Sequence, residues 1–152
     1  MKALNTYIQE GIKLSSKSKV NTYNYHPKTY TELKLLVDKL IKERGNEADL
    51  NDIDTSEIDD MNRIFKQSDF NGDISKWDVS NVENMFAMFF KSKFNGNISK
   101  WDVHNLVYAA DMFRYSEFNG NIDDWDVSKL EYSQNMFAGC PLQKNLPKWS
   151  NK

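Results

Sequence analysis

The chain has 152 residues, 28% of them charged, and a formal net charge of −2, which is enough chain for one ordinary domain but not for two. Its weak negative charge gives no overall basic field, so we expect no nucleic-acid partner. A single cysteine, Cys140, excludes an intrachain disulfide, and two histidines are poor material for a zinc site, so we expect no metal and no cofactor.

Residues 1–48 carry no trace of a repeat and are predicted to form an N-terminal cap of helix, strand and helix. Apolar residues at helical spacing within residues 3–12 predict the first helix. The alternating segment 19–25, which is rich in aromatic and β-branched residues, predicts the strand. It ends before Pro27, because proline has no amide donor.

The second helix is the most strongly patterned element of this segment. It is predicted to follow an N-cap at Thr31, or alternatively Thr29, and to run to about Arg44, with Gly45 as its terminating residue. The apolar stripe of this helix consists of Leu33, Leu36, Val37, Leu40 and Ile41. The stripe predicts a helix that covers one end of the repeats that follow. The competing interpretation is a separate functional module.

An acidic run lies between the cap and the clear repeats. Residues 47–60 contain seven carboxylates and no Lys or Arg. The run indicates either a solvated edge of loops and turns or an acidic docking patch.

From residue 49 onward the chain repeats itself every 24 residues. The clearest markers of the repeat are Phe70, Phe94, Phe118, Trp77, Trp101, Trp125 and Trp149. A degenerate copy precedes them, with Leu50, Ile53, Ile58, Met61 and Phe65 at the matching apolar positions. Residues 49–152 therefore form about four coils and part of a fifth. A period this strict predicts a stack of similar coils that bury one another.

Each coil is predicted to combine a strand, a turn and a short helical segment. Trp77 and Val79 alternate with Asp78, as in a strand, whereas Met85, Met88 and Phe89 have helical spacing. The pair Asn71-Gly72 is expected to take positive φ where the coil returns. Stacking would place the strands roughly 4.8 Å apart in a short parallel sheet. The turn asparagines Asn71, Asn95 and Asn119 are expected to hydrogen-bond along the stack.

The repeat resembles that of one known family. The pattern W-D-V-S-x-V-x-x-M-x-x-M-F, here at residues 77–89, is similar to the repeat of BspA-like leucine-rich-repeat surface proteins, in the branch found in mycoplasma lipoproteins. The resemblance covers roughly residues 49–149. It implies a short right-handed leucine-rich-repeat-like solenoid of α/β coils and a role in adhesion or protein binding. Short relatives in phage and mobile-element genes make a phage-encoded interaction protein a further implication.

A ladder of aspartates recurs at one repeat position. Its members are Asp54, Asp78, Asp102 and Asp126. Neighbouring lysines and turn amides are expected to compensate these charges. The functional alternative is a surface for a basic partner or a cation, and it is sharpest near Asp126, where Asp124 replaces a lysine of the earlier copies.

The positions that vary between copies are the candidates for protein binding. They carry residue types enriched in interfaces: Phe86, Phe90, Tyr108, Arg114, Tyr115 and Tyr132. The competing interpretation is peripheral packing of the helical segments.

No catalytic motif accompanies the repeat, so we expect no enzyme. The predicted function is a non-enzymatic protein–protein interaction module with a partner of unknown identity. The alternatives are a cell-surface adhesin and a phage or virion component that self-associates through the ends of the stack.

The first residues contain no continuous apolar run, so neither a Sec-type signal peptide nor a membrane span is expected. The expected location is cytoplasmic or phage-associated. A cell-surface location is less expected, because no signal peptide is present.

Overall fold

The computed structural model describes residues 22–151. Within this range the regular elements are one α-helix, α1 (Tyr30–Arg44), and two short 3₁₀ helices, Pro141–Lys144 and Lys148–Asn151. The predicted first helix, and residues 19–21 of the predicted strand, lie outside the described residues.

The N-cap of helix α1 lies two residues before the preferred prediction. This N-cap is Thr29, whose hydroxyl accepts a hydrogen bond from the amide of Glu32 at 3.2 Å. The choice of Thr31 was therefore wrong and the alternative, Thr29, is confirmed. The predicted end is also confirmed: Gly45 has φ of 93° and its amide donates to the carbonyl of Ile41 at 2.8 Å.

The apolar stripe of α1 joins the core of the repeats. Leu33, Val37 and Leu40 are fully buried in one cluster with the interior residues of the coils, and Leu36 and Ile41 pack against it. The end of α1 is clamped to the first coil: both terminal nitrogens of Arg44 lie 2.9 Å from the carboxylate oxygens of Asp52. The helix therefore lies against the N-terminal end of the stack.

The segment before α1 is not a strand over its described part. Tyr25 forms an isolated parallel bridge with Ile53, and the amides of Asn24 and Tyr25 donate to the carbonyl of Asp52. These contacts add residues 24–25 to the edge of the first coil without building a sheet.

The predicted α/β solenoid is wrong. Residues 49–151 contain neither a strand nor an α-helix, and within the described range the repeats are joined by isolated parallel bridges such as those linking Asp60, Asn84, Tyr108 and Tyr132 in sequence. A leucine-rich-repeat-like sheet with helical returns is therefore absent from the described part of the chain. Each coil is instead a succession of turns.

The segments expected to be helical form four turn ribbons, residues 61–67, 85–91, 109–115 and 133–139. In the first ribbon the amides of Ile64 and Lys66 close turns onto the carbonyls three residues earlier. The alternate amides, those of residues 61, 63, 65 and 67, donate instead to carbonyls of the next ribbon at 2.7 to 2.9 Å. The same pattern joins the second ribbon to the third and the third to the fourth, at 2.7 to 3.0 Å.

This ladder explains why helical spacing did not produce a helix. An α-helix needs each amide to bond four residues back, whereas here every second amide is used by a neighbouring coil. Two residues of each ribbon also have positive φ, which a right-handed helix does not accommodate. They are Arg63, Gln67, Ala87, Lys91, Asp111, Tyr115, Asn135 and Gly139, with φ between 51° and 73°.

The Asn-Gly turns do not take the positive φ that was predicted, since the positive-φ glycines of the described chain are Gly45 and Gly139. Gly72 is needed for another reason. A Cβ there would lie 2.0 Å from the carbonyl oxygen of Ala48 and 2.6 Å from the ring of Phe70. Glycine at this position permits the close approach of backbone to backbone.

Equivalent side chains stack along the repeat axis as the period predicts. Phe65, Phe89, Phe113 and Phe137 form one column with ring centroids 5.5 to 5.9 Å apart. Phe70, Phe94 and Phe118 form a second column at 6.3 Å. The tryptophan rings pack against the first column, with their ring centroids 5.7 to 6.4 Å from those of the phenylalanines. These rings are the interior of the molecule, so the invariant residues of the repeat are structural.

One small feature of the stack agrees with the predictions, and the position of the cysteine is a second observation. The amide of Asn95 donates to Oδ1 of Asn71 at 2.8 Å, and the amide of Asn119 donates to Oδ1 of Asn95 at 2.9 Å, so the asparagine ladder is confirmed. Cys140 is buried at the position that Ser92 and Ser116 occupy in earlier copies, and its burial raises the pKa of the thiol.

Candidate protein-binding surface

The outer side of the four turn ribbons, here called the turn face, collects charge of one sign. The ribbons contain four cations and one carboxylate: Arg63, Lys66, Lys91, Arg114 and Asp111. The chain as a whole has a formal net charge of −2. The turn face is therefore a local basic surface on a weakly acidic protein.

Phe90 lies at the centre of a cation–aromatic cluster on this face. Its ring meets that of Tyr115 edge-on at 6.1 Å, and the Nζ atoms of Lys66 and Lys91 lie 5.7 and 5.4 Å from its centroid. Arg114 lies over Tyr115 at 4.9 Å. The cluster spans three successive ribbons. Such contacts hold the cations in place without neutralising them.

Arg114 makes its polar contacts within the chain through its two terminal nitrogens. Nη1 contacts Oδ1 of Asp111 at 3.3 Å, and Nη2 donates to the hydroxyl of Tyr115 at 3.3 Å. The hydrogen bond to Tyr115 raises the pKa of Arg114. Its Nε is buried and donates to no acceptor among residues 22–151. The guanidinium therefore retains donor capacity after its internal contacts are made.

Phe86 belongs to a second group on the same ribbons. The guanidinium of Arg63 lies 4.6 Å from its centroid, and both residues line a shallow cleft together with Tyr108. Tyr108 stacks on Tyr132 with centroids 4.7 Å apart, and the two rings are 45% and 42% exposed. Tyr115 is 51% exposed. The aromatic residues predicted for binding therefore stay accessible while being held in fixed positions.

The aspartate ladder lies elsewhere, on the turns that carry the tryptophans. Asp78, Asp102 and Asp126 each accept a hydrogen bond from the amide two residues later. The bond from His104, whose Nδ1 is 2.7 Å from Asp102, lowers the pKa of that carboxyl, and the bonds from Ser128 lower the pKa of Asp126. The turn amides compensate these charges as expected. The neighbouring lysines Lys76 and Lys100 form no ion pair with the ladder within residues 22–151, so that part of the expectation was wrong. The structure does not bring Asp78, Asp102, Asp124 or Asp126 to the turn face.

The acidic run is partly used inside the molecule. Asp52 binds Arg44, Asp54 lies 3.3 Å from Nδ1 of His26, and Glu57 lies 3.6 Å from Nζ of Lys28. The bond from Arg44 lowers the pKa of Asp52. These carboxylates fasten residues 24–44 to the first coil, which argues against a free acidic docking patch.

Three members of the turn face were not predicted from the sequence: Arg63, Lys66 and Lys91. A signal for them existed. Lys66 is one 24-residue period before Phe90, and Lys91 is one period before Tyr115. The repeat register alone would have placed these cations beside the predicted aromatic residues.

Other kinds of site have little support in the part of the chain that the structure describes. Within residues 22–151, no group of three or more His, Cys, Asp and Glu side chains is placed to hold a metal ion. Over the same residues, no helix combines the length and the apolar composition needed to cross a membrane. Among the candidate sites within residues 22–151, the turn face is therefore the one that the largest number of structural observations supports.

The geometry defines a repeat protein of stacked 24-residue turn units with one basic, aromatic face. Residues 33–149 match the family described as Mycoplasma protein of unknown function, DUF285, and the chain belongs to that family. The match begins within α1 and extends to the last tryptophan of the repeat. No curated protein and no solved structure matches the chain.

Proposed function

We propose that the protein is a non-enzymatic interaction module that binds another protein through the turn face. One observation carries the proposal. The residues that repeat are buried in ring stacks, whereas the residues that vary meet on one exposed surface as the cluster of Lys66, Phe90, Lys91, Arg114 and Tyr115.

The chemistry of this surface favours an acidic partner. The ribbons carry four cations and one carboxylate. The terminal nitrogens of Arg114 carry four N–H groups, and within residues 22–151 they make two polar contacts. Arginine binds carboxylates through paired N–H donors, and exposed tyrosines add contact area with few rotatable bonds to order. The partner segment is therefore expected to carry Asp or Glu beside an aromatic or aliphatic residue.

Three further proposals concern the biological setting. The repeat at residues 77–89 supports a relationship to BspA-like surface proteins, and with it an adhesion-type role. An interaction module with a cytoplasmic or phage-associated location stays the leading prediction. A virion component that self-associates is the competing one. Light scattering across a concentration series separates it from the others, since a monomer at every concentration contradicts self-association.

The binding proposal is tested by selecting peptides from a random display library on the immobilised full chain. We expect enrichment of peptides with two or more carboxylates next to an aromatic residue. Phe90→Ser and Arg114→Ser should each weaken the selected peptides by about tenfold or more, as for residues at the centre of an interface. Leu35→Ser is the matched control, because Leu35 is 66% exposed on α1 and lies outside the turn face.

The proposal is wrong if no acidic peptide is enriched, or if the three variants bind the selected peptides equally. A labelled single-stranded oligonucleotide is assayed in parallel, since basic aromatic surfaces also bind single strands. Binding of the oligonucleotide that exceeds that of every peptide, and that is lost in Arg114→Ser, would contradict a protein partner.

A further inference from the structure

The ladder of backbone hydrogen bonds between ribbons leaves several amide donors of the last ribbon without an acceptor among residues 22–151. In each of the first three ribbons, four alternate amides donate to the next ribbon. In the fourth ribbon, the amide of Gly139 donates to Oε1 of Gln143 at 2.8 Å. The amides of Ser133, Asn135 and Phe137 have no acceptor among residues 22–151. The C-terminal end of the stack therefore presents three donors in the register of the repeat.

A cleft lined by both apolar and polar side chains lies beside these donors. Its lining includes Leu130, Ser133, Phe137, Leu146 and Trp149. Leu146 is 39% exposed, whereas the interior residues of the first coil, such as Ile53 and Met61, are 1% exposed or less. The last coil is therefore less completely covered than the first, which has α1 against it.

A second copy of this chain does not fit the donor edge. Head-to-tail stacking would have to bring the first coil of the second copy within about 4.8 Å, the spacing of paired strands. Helix α1, roughly 10 Å across, lies against that first coil. Tail-to-tail stacking would place donors against donors, because the carbonyls of Ser133, Asn135 and Phe137 already accept bonds within their own turns.

We propose that the C-terminal end of the stack binds a polypeptide segment of a partner protein that adopts a turn ribbon like those of this chain. In the ladder between ribbons, carbonyls two residues apart accept from alternate amides of the ribbon before them, so residues i, i+2 and i+4 of the segment accept from Ser133, Asn135 and Phe137. An apolar side chain of the segment occupies the cleft beside Leu146 and Trp149. This site uses the backbone amides at the free edge of the fourth ribbon and none of the charged or aromatic side chains proposed to bind on the turn face, so it does not depend on that proposal.

The probe for this site is a synthetic peptide of residues 107–117, acetylated and amidated at its ends. Within the protein this segment supplies the carbonyls of Tyr108, Ala110 and Met112 to the preceding ribbon in the required register. The full ¹⁵N-labelled chain is titrated with the peptide, and amide exchange with deuterium is followed by NMR. At a peptide concentration of ten times Kd, exchange at Ser133, Asn135 and Phe137 should slow about tenfold. The paired amides of Ala109 and Asp111 are the internal control.

Two variants and one altered peptide complete the test. Leu146→Asp places a charge in the cleft and should abolish the perturbation, while Leu35→Asp, an exposed leucine on α1, should leave it intact. The peptide with Met112 and Phe113 both replaced by Ser should not bind. The proposal is overturned if the peptide leaves residues 133–137 unchanged, or if Leu146→Asp binds as well as Leu35→Asp. It is also overturned if protection of these amides rises with protein concentration alone, which would identify a second copy as the occupant.

Discussion

The indole Nε1 of Trp101 donates a hydrogen bond to the backbone carbonyl of Ile74, 27 residues earlier, at 3.1 Å. The same bond joins Trp77 to Leu50, Trp125 to Ile98 and Trp149 to Ile122, at 2.8 to 3.0 Å. Each tryptophan therefore fills the interior of one coil and satisfies a carbonyl of the coil before it. This double role explains why the repeat uses Trp, since Phe could provide only the ring.

Trp101→Phe tests the hydrogen bond apart from the ring. The variant removes one of the two donors to the carbonyl of Ile74, which still accepts from the amide of Trp77 at 3.1 Å. The loss of this single hydrogen bond should cost about 0.5–1.5 kcal/mol in the free energy of unfolding. Trp101→Ala should cost about 3–5 kcal/mol, because a cavity is added. Urea unfolding measures both. Trp149→Phe, at the partly buried end of the stack, should lose less than Trp101→Phe, and equal losses would contradict this account.

The two kinds of glycine should respond differently to alanine. In Gly72→Ala the new Cβ meets the carbonyl of Ala48 at 2.0 Å, so we expect a loss near the upper end of overpacking effects, about 3 kcal/mol. In Gly45→Ala the Cβ meets nothing within 4 Å, and the loss should be smaller, within about 1–3 kcal/mol, because φ of 93° with ψ of 174° is a conformation open essentially to glycine alone. Thermal unfolding of both variants gives the order, and a larger loss in Gly45→Ala would show that the Asn-Gly turn is not closely packed.

The asparagine ladder predicts that alanine at position 95 lowers the stability of the fold, whereas aspartate at the same position preserves it. Asn95→Ala removes the oxygen that accepts from the amide of Asn119 and should cost about 1 kcal/mol. Asn95→Asp keeps an acceptor at this position, so its stability at pH 7 should lie close to that of the wild type. If the Ala and Asp variants unfold at the same urea concentration, the side-chain ladder contributes nothing.

The clamp between Arg44 and Asp52 predicts a stability change at low pH. The hydrogen bond from Arg44 lowers the pKa of Asp52 in the folded protein. The stabilisation of the fold by the Arg44–Asp52 pair is therefore fully present above the ordinary carboxyl pKa of about 4. It is lost as the pH falls through the lower pKa that Asp52 has in the folded protein. Asp52→Asn should lower the unfolding temperature at pH 7. Between pH 4 and pH 2, the unfolding temperature of this variant should fall by less than that of the wild type.

Asp124→Asn is the control for the acid titration, since Asp124 is exposed and makes no side-chain hydrogen bond within the described residues. Its unfolding temperature should follow the wild-type curve throughout. Wild-type behaviour of Asp52→Asn over the same range would mean that the clamp does not hold α1 to the first coil.

The sequence predicted the interior of this protein better than its backbone. The 24-residue period identified the buried rings, from Phe65 in the degenerate copy to Phe113 in the centre of the stack. The backbone between them was not predictable from side-chain spacing, because Met85, Met88 and Phe89 have the same spacing in a helix and in a turn ribbon. The deciding residues are those with positive φ. They include Ala87 and Lys91, which carry none of the glycine signal that usually marks such positions.

The candidate surface was predictable in part. Variation between copies identified Phe90, Arg114 and Tyr115, and the structure brings these three together. It separates them from the aspartate ladder, which a list of charged residues could not reveal. Lys66 and Lys91 look like ordinary surface lysines until the turn ribbons place them against the ring of Phe90.

Site-specific photo-crosslinking on the turn face would show in cells whether a second protein binds there. Benzoylphenylalanine replaces Phe90 in one variant and Leu35 in another, and each is irradiated in the cells that produce the protein. We expect an adduct of discrete mass with a second protein from position 90, absent from position 35 and lost when Arg114→Ser is added. The same adduct from both positions, or none from position 90, would contradict binding through the turn face.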